Sequence, residues 1–219
     1  MVCKAFLFDF DGVLVDSEPL HLETFREIVK PFGIVIPERR WYTEFVGVGS
    51  PHIMKTLLAE KGIVDEEKIR LLVDARRDLF QKRIVEGRLQ EKGGIRKFLE
   101  AAGKNGITMA VVSGGHKSNI AVALQVLKME KYFAIILGRE DYEKRKPDPE
   151  CYLTGAKKLG VAAAECIVFE DSISGCLAAK AAGMFLVAIE APADVEEAGC
   201  KPDMKIKDFT EAKAERLLR

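Results

Sequence analysis

The chain has 219 residues, 48% of them apolar, a size and composition that can bury one substantial core or two smaller ones. Lys plus Arg and Asp plus Glu balance at 34 each, so no overall field gathers nucleic acid or a membrane surface. Five scattered cysteines (Cys3, Cys151, Cys166, Cys176, Cys200) form no CxxC pair and no metal-ligand spacing, which fits small buried thiols in a reducing compartment.

The opening "MVCKAFLFDFDG" lacks the charged, apolar and small-residue regions of a signal peptide, and no apolar run approaches the length of a membrane span. The expectation is a soluble, cytoplasmic protein. "CKAFLF" (3–8) reads as a strand buried on both faces. Helical patterns alone follow. Leu20, Thr24, Phe25, Ile28, Val29 and Phe32 recur at helix spacing behind Ser17 as N-cap. Next come "SPHIMKTLLAEKG" and the long charged "DEEKIRLLVDARRDLFQKRIVEG", with Ile69, Leu72, Val73, Leu79 and Phe80 on one side. Beyond them strands and helices alternate: "GGIRKFLEAAGKNG", the strand "ITMAVVS" (107–113), "HKSNIAVALQVLKM", then the strands "FAIIL" (133–137), "CIVFE" (166–170) and "FLVAI" (185–189). The stretch from "APADVEEAG" onward reads as a short strand near "PDMKI" and a closing helix.

This order predicts an α/β protein: a Rossmann-like parallel sheet with helices on both faces (residues 1–16 and 87–219), and an inserted all-helical domain (17–86) over the sheet's C-terminal edge. The linkers near Asp16–Glu18 and Glu86–Glu91 are the expected hinges.

Ligands of open α/β sheets bind beyond the carboxyl ends of the strands. The first strand ends in Asp9-Phe10-Asp11-Gly12, the next in Ser113-Gly114-Gly115, and a later one in Glu170-Asp171-Ser172, while "KRKPDPE" follows the strand at 133–137. Asp9 and Asp11 lie two apart on an extended segment, so both project to one side. Like charges that close raise each other's proton affinity unless a cation offsets them. Clustered carboxylates with no histidine or thiolate suit a hard cation, Mg2+ being the usual choice in phosphate chemistry. Ser113, its glycines and the helix start behind them make an anion site. Lys146 supplies positive charge on a loop stiffened by Pro147 and by Asp148-Pro149, taken as N-cap and first helical residue.

"DFDGVLVDS", "VVSGG", "KRKPDPE" and "VFEDSISG" together resemble, in order, the four motifs of the haloacid dehalogenase-like hydrolase superfamily, and the likeness covers essentially the whole chain. "DGVLVDSEPLH" and "KPDPECYL" resemble its sugar-phosphatase and β-phosphoglucomutase-like subgroup, whose helical cap domain sits where residues 17–86 fall. The resemblance implies that Asp9 attacks the phosphorus of a small phosphate monoester and forms an aspartyl phosphate. Asp11 then acts as acid toward the leaving oxygen and as base toward water. Asp9, the Asp11 carbonyl, Asp171 and (through water) Glu170 hold Mg2+, and Ser113, Gly114 and Lys146 grip the phosphoryl oxygens. Asp11 also separates the chain from the superfamily's dehalogenases, which lack the second aspartate of the first motif.

In the helical insert the resemblance marks His21 as a sugar contact, with Gly47 and Ser50 on the specificity loop "FVGVGSPH". Trp41, His52 and His116 read as packing or solvent-facing residues, and Lys144 and Arg145 as a surface basic run. The mutase-like relatives carry an arginine in the specificity loop and this chain does not, which favours hydrolysis of a sugar or polyol phosphate over a phosphomutase. A non-catalytic binding protein is a further alternative, as is phosphonate cleavage through Lys55. Partners are expected to be limited to the small phosphate ester, with the chain a monomer or a weak homo-oligomer.

Overall fold

The computed structural model describes residues 3–190 and 195–217; the start of the "APADVEEAG" stretch, residues 191–194, lies outside them. In chain order the elements are β1 (Ala5–Phe8), β2 (Val15–Asp16), α1 (Glu18–Val29), α2 (Glu38–Arg40), α3 (Ser50–Ala59) and α4 (Glu66–Val85). Next come β3 (Gln90–Glu91), α5 (Ile95–Lys104), β4 (Thr108–Val112), α6 (Lys117–Val126), β5 (Ile135–Leu137) and α7 (Glu150–Leu159). The last are β6 (Cys166–Glu170), α8 (Ile173–Ala181), β7 (Phe185–Ile189), β8 (Met204–Ile206) and α9 (Ala214–Leu217). The chain divides into two compact units, one running through Asp16 and resuming at Gln90, the other spanning Ser17–Leu89.

The first unit is built on a six-stranded sheet in the order β5-β4-β1-β6-β7-β8, every neighbouring pair parallel. β1 is central. Leu7 stands opposite Ala110 on one side and Val168 on the other, and all four β1 residues are buried. That is why "AFLF" shows no polar alternation: helices cover both faces of a parallel sheet. On one face Phe6 and Phe8 join Phe98 of α5, Phe169 of β6 and Phe209, with Phe8 and Phe169 stacked at 4.6 Å. On the other, Ala5 and Leu7 pack with Tyr152 and Ala156 of α7 and Cys176, Ala178 and Ala179 of α8. β2 and β3 form an antiparallel ribbon where the chain leaves and re-enters this unit.

The second unit is all helical. Phe25 and Val29 of α1, Trp41 and Phe45, Ile53, Met54, Leu57 and Leu58 of α3, and Ile69 of α4 form its core. Asp65 caps α4 by accepting from Lys68 N at 2.9 Å.

Three local expectations are corrected. Ser17 occupies the position before α1, but its side chain makes no capping bond. Asp148 does not cap α7: its Oδ1 accepts from Glu150 N at 3.0 Å, an Asx-type bond two residues on, and Pro149 takes the cap position. The strand expected at 133–137 shortens to Ile135–Leu137 because a 3-10 turn at Glu130–Tyr132 leads into it.

Candidate functional site

The end of β1 sets the first two acidic groups. Asp9 N donates to Phe169 O at 3.0 Å, which extends the β1–β6 pairing one residue past the strand and fixes the Asp9 backbone. The chain then turns: Gly12 N reaches Val15 O at 2.8 Å and Gly12 adopts φ +71°. A Cβ at Gly12 would stand 1.9 Å from Asp171 Oδ2, so only glycine permits both the turn and the close approach of that carboxylate.

β6 ends in Glu170, which is completely buried. Its Oε2 accepts from Asp171 N at 3.0 Å and from Ser172 N and Oγ, each at 3.1 Å. Its Oε1 accepts from Lys146 Nζ at 2.6 Å and from the Tyr152 hydroxyl at 2.7 Å. Ser172, not Glu170 or Asp171, caps α8 by accepting from Gly175 N. Lys146, on the loop before α7, also donates to Asp9 Oδ1 at 2.8 Å and to Val112 O at 3.3 Å. One ammonium thus joins the ends of β1, β4 and β6.

Carboxylate oxygens of Asp9, Glu170 and Asp171 lie within 4.8 Å of one another. Three oxygen donors with no nitrogen or sulfur fit a hard divalent cation. The electrostatics agree. Burial pushes the Asp9 carboxyl up to about 7 against the pull of Lys146, with Glu170 and Asp11 adding to the rise. Burial, then Glu170, Asp9 and Asp11, carry Asp171 well above the ordinary carboxylate range. Burial opposes charge on Lys146 and on Glu170, yet each stays ionised through its partners: Asp9 and Glu170 hold the ammonium protonated, and Lys146 holds Glu170 low. One ammonium cannot balance three ionised acids, so without a cation Asp9 and Asp171 keep their protons more readily than free carboxyls do.

Ser113, just past β4, is buried; its Oγ accepts from Gly115 N at 3.1 Å, and α6 begins only at Lys117 behind His116. A Cβ at Gly115 would meet Ser113 Oγ at 3.4 Å and Asp11 Oδ2 at 3.6 Å, which puts hydroxyl and carboxylate on the same small space. Gly114 is exposed beside them. Asp9, Asp11, Ser113, Gly114, Lys146, Glu170 and Asp171 therefore gather at one sheet edge. Lys144 and Arg145 are exposed.

His21, Gly47 and Ser50 belong to the second unit. His21 and Ser50 meet there at Arg76 of α4, which sequence reasoning missed. Arg76 is buried, donates Nε to Thr24 Oγ1 at 3.1 Å and Nη1 to Ser50 Oγ at 3.3 Å, and bonds His21 Nδ1 through Nη2. Its guanidinium lies 4.6 Å from the Phe25 ring and 4.8 Å from the Phe80 ring, and His21 stacks on Phe80 at 4.4 Å. The stretch "FVGVGSPH" itself has no arginine, but α4 brings one to Ser50. Position 76 shares the buried stripe of Ile69, Phe80 and Ile84, the one signal that could have flagged it. Gly47 sits in a turn at φ +76°. Trp41 packs in the core with Nε1 donating to Glu18, His52 is exposed, and His116 is exposed against Glu140. Lys55 is exposed and paired with Glu66 at 2.6 Å, without the enclosed setting that a Schiff-base lysine needs.

Comparison with known proteins gives a consistent result. A family model described as haloacid dehalogenase-like hydrolase matches residues 6–189. The phosphorylated carbohydrates phosphatase of Thermotoga maritima is 32% identical over 83% of this chain and 82% of its own length. Hexitol phosphatase A of Escherichia coli K12 is 32% identical over 89% of this chain and 86% of its own. A crystal structure of a HAD hydrolase, family IA, variant 3, from Entamoeba histolytica superposes with a TM-score of 0.85 at 29% identity, covering 98% of this chain and 97% of that one.

Proposed function

The chain belongs to the haloacid dehalogenase-like hydrolase family, and on that premise we propose that it is a Mg2+-dependent phosphatase of a small sugar or polyol phosphate. The observation that carries this reading is the Lys146 ammonium shared between Asp9 at 2.8 Å and Glu170 at 2.6 Å, with Asp171 in the same carboxylate cluster. Relatives named for carbohydrate and hexitol phosphates support the substrate class.

Asp9 attacks phosphorus through a carboxylate oxygen; a P–O bond forms to Asp9 as the bond to the departing alkoxide breaks. Asp11 gives its carboxyl proton to that alkoxide. The Asp11 carboxylate then takes a proton from a water, whose oxygen attacks the phosphorus and releases Asp9 and inorganic phosphate. Lys146, Ser113 and the backbone amides after it stabilise the equatorial oxygens. Asp9, the Asp11 carbonyl and Asp171 would hold Mg2+. The ion would supply the positive charge that keeps Asp9 ionised and offsets the charge of the transferring group. Glu170, whose oxygens already accept five protein donors, serves the cation through its field and through Lys146.

The test is phosphate release from a panel of sugar, polyol and glycolate phosphates with Mg2+, beside Asp9→Asn. Release by the native chain and silence from the variant uphold the reading. Isomerised sugar phosphate without free phosphate overturns it in favour of a phosphomutase, and tight substrate binding with neither product points to a binding protein.

A further inference from the structure

Tyr152 and Gly175 take no part in the proposed reaction, yet both touch Glu170. Tyr152, on α7, is fully buried; its hydroxyl donates to Glu170 Oε1 at 2.7 Å and its ring lies 4.9 Å from the Lys146 ammonium. Gly175 lies in the first turn of α8. A Cβ built there would stand 1.7 Å from Glu170 Oε1 and 1.9 Å from its carboxyl carbon. Gly175 has no left-handed φ, so backbone conformation does not call for glycine at this position. The carboxylate does.

We propose that Tyr152 and Gly175 are positioning residues: they fix the Glu170 carboxylate from two sides and, through it, hold the Lys146 ammonium against Asp9. The inference rests on the phosphatase reading. A lysine ammonium is a point charge on a flexible four-carbon stem and does not locate itself. Here its position is set by the oxygens it meets, Asp9 Oδ1, Val112 O and Glu170 Oε1. Only Glu170 among these is a flexible side chain beyond the nucleophile itself, so a contact that pins Glu170 also pins the lysine. Asp171 N and Ser172 fill Oε2, Tyr152 shares Oε1 with Lys146, and the bare Cα of Gly175 leaves room for the carboxylate. This chemistry depends on preorganised charge, and a shift of about 1 Å in a catalytic group costs about a hundredfold in rate.

The experiment compares the native chain with Tyr152→Phe and Gly175→Ala. Tyr152→Phe keeps the ring over Lys146 and loses only the hydroxyl. Gly175→Ala installs a residue that a helix otherwise prefers to glycine, so a purely structural role predicts little loss of rate in the folded protein. Two readouts are taken where circular dichroism shows each protein folded: kcat and KM for p-nitrophenyl phosphate with Mg2+, and the Lys146 ammonium resonance in [15N]lysine-labelled protein without substrate. Tyr152→Phe is expected to lower kcat about tenfold with KM within about twofold, and Gly175→Ala to lower kcat further. Both variants are expected to move the Lys146 resonance. A kcat within about twofold of native in both variants, or an unmoved resonance, overturns the proposal. If one variant fails to fold, the other decides. An inactive native chain sinks the phosphatase reading instead, and the resonance alone then decides whether these residues hold Lys146.

Discussion

Asp9 sits where two demands conflict. As the proposed nucleophile it must be ionised, and burial raises its carboxyl to about 7. The folded value lies above the unfolded 3.8, so the folded chain holds this proton longer. Asp9 therefore costs the metal-free protein stability as pH rises from about 4 to about 7, and the cost is full above that window. A cation in the cluster reverses this by favouring the charged form. Mg2+ affinity, measured by calorimetry, should accordingly be highest above pH 7 and should fall by up to about tenfold per pH unit below it, as protons compete for Asp9. A flat profile from pH 8 to pH 5 would contradict this assignment of Asp9. Asp9→Asn should reduce phosphate release by about a thousandfold or more, yet melt above the native protein at pH 8 without metal, with the gap closing toward pH 4. Removing Lys146 acts in the opposite sense. Lys146→Ala leaves Glu170 buried without its main counter-charge and should cost about 3–5 kcal/mol by urea denaturation, besides the loss of activity.

At the scale of elements, the strands were legible because each is a short apolar run buried on both faces, and a parallel sheet then directs attention to the residues just past each strand's carboxyl end. Asp9, Ser113 and Glu170 were found that way. Caps were read less well: serine and aspartate before a helix invite an N-cap assignment, but Ser17, its backbone already helical, makes no capping bond, and Asp148 accepts from Glu150 N with Pro149 at the cap position. Arg76 was not legible. A charged residue on a long polar helix reads as solvated, and the partners that let it be buried come from Thr24, 52 positions earlier, and from His21, Phe25 and Ser50. Tyr152 was not singled out in the sequence, and its bond to Glu170, 18 positions away, could not be read there. Arg76→Ala should destabilise the second unit by about 2–4 kcal/mol through lost hydrogen bonds to Thr24, Ser50 and His21 and lost ring contacts, seen as a lower urea midpoint. Arg76→Lys should recover only part of this, since an ammonium cannot reproduce the guanidinium's fork.

At the scale of the molecule, two compact units share one chain, and every carboxylate of the metal cluster belongs to the sheet-bearing unit. In the sequence the strand–helix rhythm breaks over residues 17–86, while the second unit spans Ser17–Leu89. The sequence could not show where one unit's packing gives way to the other's, because Leu89 is a lone buried residue in an exposed stretch and only contacts assign it. Mg2+ at about a hundred times its dissociation constant should stabilise the folded chain by about 2.7 kcal/mol, and for a chain of this size that raises the melting temperature by about 5–10 °C. Asp171→Asn should abolish most of that shift. A native chain whose melting is indifferent to Mg2+ would not have the cation site described above.

The central place of β1 has a consequence for the newly made protein. Asp9 leaves the ribosome 137 residues ahead of the lysine that meets it, and the strand that fixes its backbone, β6, comes later still. Until those residues are made, a nascent chain carries the Asp9 carboxyl without the Lys146 counter-charge and with an unpaired β1 edge exposed to its neighbours. On the proposed reading, a chain cut before Glu170 lacks part of the cluster and should release no phosphate, and its unpaired β1 edge should make it prone to aggregate.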